Sequence, residues 1–423
     1  MSEIPVAGVD VSKDFSDMCI IGPDNSVFER VKIFHDETSM KRSIGFLQKA
    51  ERAFGAKPIL VMEATGHYHR ILHQFVTQHG YQAVVINPLQ SSALKNLNIR
   101  KIKNDQIDAY RIALLYRTNS LKASLIPTDK IENLRMLCRQ HHVIKNDITA
   151  YEQRLHALLD QVFPKYSSLF SRLTGKTSMA VLSCYPTPES LCGVHVQTLA
   201  KKIGVVSRRG KGYSETLAKK LIAVSKEARS IDIYRQSAPM LIRSEVAILQ
   251  TMTALVAQID SEIHDVICSD AYLSVNIQLL KTIPGIAEYS AAVILSEIGD
   301  FTSFKKAKQL VAFFGLDPSV HQSGNFSGTN NKISKRGSSY LRSVLSLVAQ
   351  VAISRRHDGE YRNPTLVEYY RKKRESKPAK VAMCAVMHKL VNIVFAVLRD
   401  QKPFTVRTPE EHLKLLHSRS IAA

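Results

Sequence analysis

Acidic residues are scarce in this chain: 37 Asp and Glu stand against 58 Lys and Arg in 423 residues, a formal charge of +21 with a pI near 9.7. A chain so poor in acids gathers polyanions, which points to nucleic acid or an anionic membrane surface. Long uninterrupted apolar runs are missing too. The most apolar stretch, 381–398, is broken by His388, Lys389 and Asn392. A spanning helix rarely tolerates such residues at mid-depth, so the membrane reading falls away. The opening MSEIPVAGVD carries Glu3 and lacks the apolar core of a signal peptide. The six cysteines (19, 138, 184, 192, 268 and 384) form no CxxC pair, which argues against a disulfide framework or a zinc cluster. No zinc finger, basic zipper or clear recognition-helix unit is present. GKTS at 175–178 has Phe170 where a phosphate-cradling loop needs its first glycine, so no nucleoside triphosphatase is expected. What remains is a cytoplasmic, reduced, nucleic-acid-bound protein of two or more domains.

The first 125 residues alternate strands and helices. Residues 4–11, 17–22, 27–33, 58–63 and 81–88 read as strands, with helices over 37–53 and 67–78. This order predicts an α/β layer fold with a mixed sheet. Two of the apolar strands end on carboxylates, Asp10 and Glu63. A buried charge needs a partner or a metal. A third acidic site lies in KNLNIRKIKNDQIDAYRIALLYR, where Asp105 and Asp108 are three apart and so share one helix face. Each acid alone reads as a solvated group or a helix cap. Together, Asp10, Glu63, Asp105 and Asp108 supply four hard oxygen ligands suited to Mg²⁺ or Mn²⁺. His69 and His73 have a metal-capable spacing but no accompanying HExxH, and read as a surface pair.

Residues 126–275 form a region of long helices. From Lys130 to about Leu159, apolar residues recur at spacings of three and four, a coiled-coil-like seam with His141 as its flaw. A second long helix covers roughly 240–267. The two can pair as an antiparallel hairpin or with another subunit. The insert between them, about 160–235, carries the basic stretch KKIGVVSRRGKGYSETLAKK, either a nucleic-acid-contacting subdomain or a solvated face.

Residues 276–405 read as a mainly helical C-terminal domain, with 406–423 as a tail. Pro284-Gly285 makes a tight turn in LLKTIPGIAEYSAAVILSEIGDF, either an ordinary helical hairpin or a helix-hairpin-helix element whose amides grip phosphates. Gly315 to Arg342 is a polar, turn-rich loop followed by a helix opening near Ser338. Locally, Ser323-Gly324 reads first as a chain turn; the alternative is a hydroxyl held against a phosphate. Tyr340, at the start of the helix, is unremarkable there. Between Lys332 and Lys380 stand thirteen Lys and Arg against four Asp and Glu, so this segment is expected to face a phosphate backbone. Lys103, Arg111, Gly285, Lys332, Lys335, Arg336 and Arg342 are the expected nucleic-acid contacts.

The motifs GVDVSK, VMEATGHY, VINP, KNDQIDA, IPGI, GLDPSVHQSG and ISKRGSSYLR resemble, in order, those of the transposases of the 110 family of bacterial insertion sequences, the bridge-RNA-guided DEDD recombinases. The resemblance covers about residues 4–120 and 279–400. It implies an N-terminal domain folded like RNase H and the RuvC-like Holliday-junction resolvases, with Asp10, Glu63, Asp105 and Asp108 holding divalent metal. It implies Ser323 as a nucleophile that leaves a covalent phosphoserine–DNA intermediate. It also implies sites completed between subunits, hence a homo-oligomer, a dimer or a tetramer. Diffuse basic charge binds phosphate without reading sequence, so specificity is expected from a bound guide RNA. Two rivals stand beside this reading: a metal-dependent resolvase-like nuclease acting by hydrolysis, and a non-catalytic nucleic-acid binder.

Overall fold

Six strands form one mixed sheet in the order β3-β2-β1-β4-β5-β6. They are β1 (Val6–Val11), β2 (Phe15–Ile21), β3 (Val27–Phe34), β4 (Ile59–Glu63), β5 (Ala83–Ile86) and the short β6 (Ala123–Ser124). The computed structural model describes residues 4–63, 68–86, 105–118, 123–124, 128–230, 236–319, 322–323, 326–327 and 332–414. β1 pairs antiparallel with β2 and parallel with β4; β2–β3 and β5–β6 are antiparallel, and β4–β5 is parallel. The central strands are apolar on both faces because helices cover both. One face carries Val9, Met18, Ile20, Leu60 and Met62 against α1 (Glu37–Phe54) and α2 (His69–Gln78). The other carries Val6, Cys19, Ile21, Val61 and Ile86 against Ala109, Ile112 and Ala113 of α3 (Asp105–Arg117).

The chain divides into two compact units, 1–126 and 127–423. Among its described residues, the elements of the second are helices and one small hairpin. α4 (Asp129–Val162) opens with Thr128, whose hydroxyl accepts from the Ile131 amide at 3.4 Å. After it come α5 (Lys176–Cys184), α6 (Val196–Ser207), α7 (Lys211–Ser230) and α8 (Ala238–Cys268). The expected pairing of the two long helices is within the chain and antiparallel. Leu134 and Cys138 near the start of α4 share a core with Ile263 and Ile267 near the end of α8. Leu155 and Leu159 share another core with Ile242 and Val246. The basic insert, left open between two readings above, packs into the same interior as the long helices: Leu199, Ile203, Leu217 and Leu221 are buried in that second core.

His141, the flaw in the seam, is buried and satisfied at one ring nitrogen, while its buried Nδ1 has no partner among the described residues. Its Nε2 lies 3.2 Å from an Asp260 carboxylate oxygen, and its ring stacks on Tyr289 at 4.0 Å between centroids. Burial holds this imidazole below its ordinary pKa although Asp260 pulls the other way.

The remaining helices are α9 (Ala271–Lys281), α10 (Glu288–Ile298), α11 (Ala307–Phe313), α12 (Ser339–Ala352), α13 (Pro364–Arg374) and α14 (Ala379–Asp400). They close around α10, where every residue from Ser290 to Ile298 is buried. Glu297 on that helix is held by the Arg139 guanidinium through two bonds, at 2.7 and 3.0 Å. By length and composition α8 and α14 would suffice to cross a membrane. Their packing gives each another account, since Leu390, Val391 and Val394 of α14 are fully buried in the core shared with α10 and α12, and Ile242 and Val246 of α8 in the second core.

Candidate active site

Side-chain alternation along the strands assembles one carboxylate edge. Asp10 lies two residues beyond Gly8 and therefore on the same face of β1. Gly8 meets α3: a Cβ there would stand 2.1 Å from the Ala109 carbonyl oxygen and 2.6 Å from the Ala113 nitrogen. Only glycine lets the helix backbone approach so closely. The direction of α3 is fixed at its far end. Arg117 donates to the carbonyls of Gly22 at 2.5 Å and Ile4 at 2.9 Å, beside the start of β1. The first turn of α3 consequently lies toward the other end of β1, where Asp10 is.

Glu63 closes β4, and the parallel register Val9↔Met62 places it beside Asp10 on the same face. Glu63 and Asp108 are buried, and Asp10 is half-buried. Asp108 accepts from the Arg111 guanidinium at 3.2 Å, so Arg111, expected to touch nucleic acid, here neutralises a carboxylate. Asp105 is the first residue of α3, but its side chain lies outside the described residues, as does Lys103 altogether. Sequence reasoning missed one acid. Asp17 is 5% exposed and pairs in register with Asp10 across β1 and β2. Antiparallel partners share a face, so Asp17 joins the same edge.

These donors are hard oxygens, the chemistry a divalent cation such as Mg²⁺ or Mn²⁺ requires. Among the described residues, no three His, Cys, Asp or Glu side chains stand close enough to share a metal ion. His69 and His73 lie on α2, both half-buried, and burial holds His73 below its ordinary pKa.

The second candidate element is the serine loop. Its base is zipped together. The Ser319 amide and hydroxyl both donate to the Lys332 carbonyl, at 2.7 and 2.9 Å, and the Ser334 amide donates to the Asp317 carbonyl at 2.8 Å. The Ser334 hydroxyl donates to the Asp317 carboxylate, and the Lys335 amide donates to the Gly315 carbonyl at 3.1 Å. Gly315 has φ +67°, and a Cβ there would sit 2.7 Å from the Gly337 nitrogen. Beyond this stalk, β7 (Gln322–Ser323) pairs antiparallel with β8 (Phe326–Ser327), with Ser323 opposite Phe326. The Ser323 side chain lies outside the described residues.

Lys332, Lys335 and Arg336 are exposed beside the stalk. Arg342 is turned to structural use: it donates to the Gly337 carbonyl at 2.6 Å and the Phe314 carbonyl at 3.4 Å. Gly285 has φ +97°, and a Cβ there would stand 2.7 Å from the Val348 carbonyl oxygen. The turn is therefore pressed against α12, which accounts for the glycine. The Tyr340 ring packs edge-on to His142, with the Arg139 guanidinium over it at 5.3 Å.

Residues 7–164 match the DEDD transposase family of IS110 elements, and residues 277–371 match the transposase family IS116/IS110/IS902. A protein of insertion element IS116 from Streptomyces clavuligerus, described as uncharacterized, is 24% identical over 95% of this chain and 96% of its own length. A pilin gene-inverting protein of Moraxella lacunata is 33% identical over 37% of this chain and 47% of its own. A transposase for insertion sequence element IS1328 of Yersinia enterocolitica is 30% identical over 44% of this chain and 54% of its own. The chain spans about half the length of these last two. Asp10, Asp17, Glu63, Asp105 and Asp108 fall within the first matched segment, and Ser323 falls within the second.

Proposed function

The chain belongs to the IS110 family of transposases, and from that premise we propose that it cuts and rejoins DNA strands through a serine nucleophile and a metal-binding set of carboxylates. The observation that carries the reading is the placement of Asp10 beside Glu63 on the sheet face that α3 covers, with Asp108 buried near the start of that helix and Asp105 opening it. The strand order β3-β2-β1-β4-β5, antiparallel among the first three strands and parallel from β1 to β5, with the short β6 added antiparallel at the far edge, supports an RNase H-like fold for this domain. Asp10, Glu63, Asp105 and Asp108 would hold a divalent ion, Mg²⁺ or Mn²⁺, which when bound supplies charge to a scissile phosphate.

Ser323 is the proposed nucleophile. Its oxygen forms a bond to phosphorus as the bond from phosphorus to a deoxyribose oxygen breaks, and the serine proton goes to the departing oxygen. One phosphodiester replaces another, so rejoining needs no outside energy source. The zipped stalk supports this role, because it ties together the two ends of the loop that carries Ser323. Lys332, Lys335 and Arg336, exposed at the stalk, are assigned to phosphate binding, as are Lys103 and the turn at Gly285. Sequence choice is assigned to a bound guide RNA, since the sequence shows diffuse basic charge and no zinc finger or basic zipper. The protein works as a homo-oligomer in the cytoplasm.

The test is a denaturing gel of protein incubated with labelled element-end DNA and Mg²⁺. A covalent protein–DNA band that disappears in Ser323→Ala supports the reading. Cleavage without any such band would replace it with the hydrolytic alternative. Protein freed of RNA that recombines its sites as fast and selectively as before would remove the guide.

A further inference from the structure

The loop between α12 and α13 doubles back on itself. Arg355 and Tyr361 face each other as an antiparallel bridge. The Arg356 amide donates to the Glu360 carbonyl at 2.7 Å, and the Arg362 amide donates to the Ser354 carbonyl at 3.1 Å. Gly359, with φ +87°, lies in the turn. The Arg355 guanidinium is fixed within this loop: it donates to the Gly359 carbonyl at 2.7 Å and to the Tyr361 hydroxyl at 3.0 Å. Arg371 of α13 reaches the same hydroxyl, donating to it at 2.5 Å. The two guanidinium carbons lie 4.3 and 5.1 Å from the centre of the Tyr361 ring.

Two cations held on one oxygen repel each other. Arg139, fixed elsewhere in this unit, is matched by Glu297. Among the described residues neither Arg355 nor Arg371 has a carboxylate partner. The Tyr361 oxygen accepts from both, so its own O–H remains to donate, and it has no acceptor among the described residues. Three donor groups and two positive charges therefore converge on one spot. Both arginines are exposed, so an anion can reach them. Lys372, Lys373 and Arg374 follow Arg371 in the last turn of α13, which suits a chain of anions better than a single one.

We propose that Arg355, Tyr361 and Arg371 clamp one backbone phosphate of the DNA. Guanidinium groups match phosphate oxygens through paired N–H donors, and the phenol supplies one donor more. α12 has 14 residues and is about 21 Å long. The clamp thus stands a helix length from the stalk, separate from Lys332, Lys335 and Arg336. Such a contact fixes the position of the strand and reads no bases. The proposal rests on DNA as this chain's partner and not on Ser323 as the nucleophile.

The experiment measures binding of a labelled element-end duplex to the full chain carrying Ser323→Ala, without metal, over a range of salt concentrations. Each phosphate neutralised contributes about 0.9 to the slope of log K against log salt. Arg355→Gln and Arg371→Gln should each lower that slope by about 0.9 and weaken binding about tenfold, with melting temperatures unchanged. The double variant should lower the slope no further, since both arginines serve one phosphate. Tyr361→Phe, which keeps the ring, should weaken binding severalfold at an unchanged slope. An unrelated duplex should show the same losses. Slopes unchanged in both arginine variants overturn the clamp, and a loss of about 1.8 in the double variant replaces it with two separate contacts. Losses confined to the element-end sequence would make the contact one to bases, and losses seen only with RNA would take the site from DNA. A parent chain that does not bind the duplex overturns DNA as the partner and the clamp with it. The Ser323→Ala background keeps this test apart from the serine chemistry, whose failure shows instead in the adduct gel.

Discussion

Asp17 stands in register with Asp10 across neighbouring antiparallel strands, and the two carboxylates face the same side of the sheet. Two like charges so placed repel unless a cation lies near them. Asp17→Asn should therefore weaken retention of a divalent ion without unfolding the domain. The Mg²⁺ concentration for half-maximal cleavage is expected to rise about tenfold or more, measured by titrating the metal against strand cleavage, with the melting temperature held or raised. An unchanged metal requirement would leave Asp17 outside the site.

Gly8 bears on the same site through the helix above it. Because a Cβ at residue 8 would collide with the Ala109 carbonyl, Gly8→Ala must push α3 away from β1. Overpacking of this kind costs about 1–3 kcal/mol. Thermal denaturation should record that loss. Cleavage is expected to fall further than stability alone requires, since Asp105 and Asp108 travel with α3. A substitution made on the opposite face, such as Leu60→Ala, should destabilise without that excess.

Much of this arrangement was legible in the sequence. Carboxylates closing apolar strands stand out because burial of a lone charge is costly, and that singled out Asp10 and Glu63. Asp17 escaped because the strand was expected to begin at 17 and begins at Phe15, so an interior residue looked like a strand end. Arg111 and Arg342 were read as phosphate contacts because charge alone does not reveal a local acceptor. Each also meets an oxygen a few residues away, on Asp108 and Gly337. The helices of 196–230 were hidden by their lysines, whose charge masked an apolar stripe buried beneath.

The stalk below Ser323 offers a third prediction. Ser334→Ala removes the hydroxyl that donates to the Asp317 carboxylate while leaving the backbone pairing in place. Protein–DNA adduct formation in single-turnover conditions should slow by about tenfold, an order set by the loss of one charge-assisted hydrogen bond. Overall stability should scarcely move. Equal rates would show that the stalk does not position the serine.

His141 makes folding sensitive to acid. Its folded pKa lies below the ordinary value of 6.5 because burial penalises the imidazolium. The unfolded chain therefore takes up a proton first as pH falls. Stability is fully present above about pH 6.5 and declines as pH drops toward the lowered folded value, below which the loss levels off. Denaturant unfolding between pH 8 and pH 5 should show this decline, and His141→Gln should abolish its share of it.

The antiparallel pair of α4 and α8 has a mechanical consequence. Ile259 packs against both hydrophobic clusters, so the interior runs without a break from one end of the pair to the other. A helix of 34 residues is about 50 Å long, the span of roughly fifteen stacked base pairs at 3.4 Å each. The pair is thus a stiff ruler rather than a tether. Taking one heptad from each helix would keep its seam in phase while shortening it by about 10 Å, moving its two ends closer by some three base-pair steps.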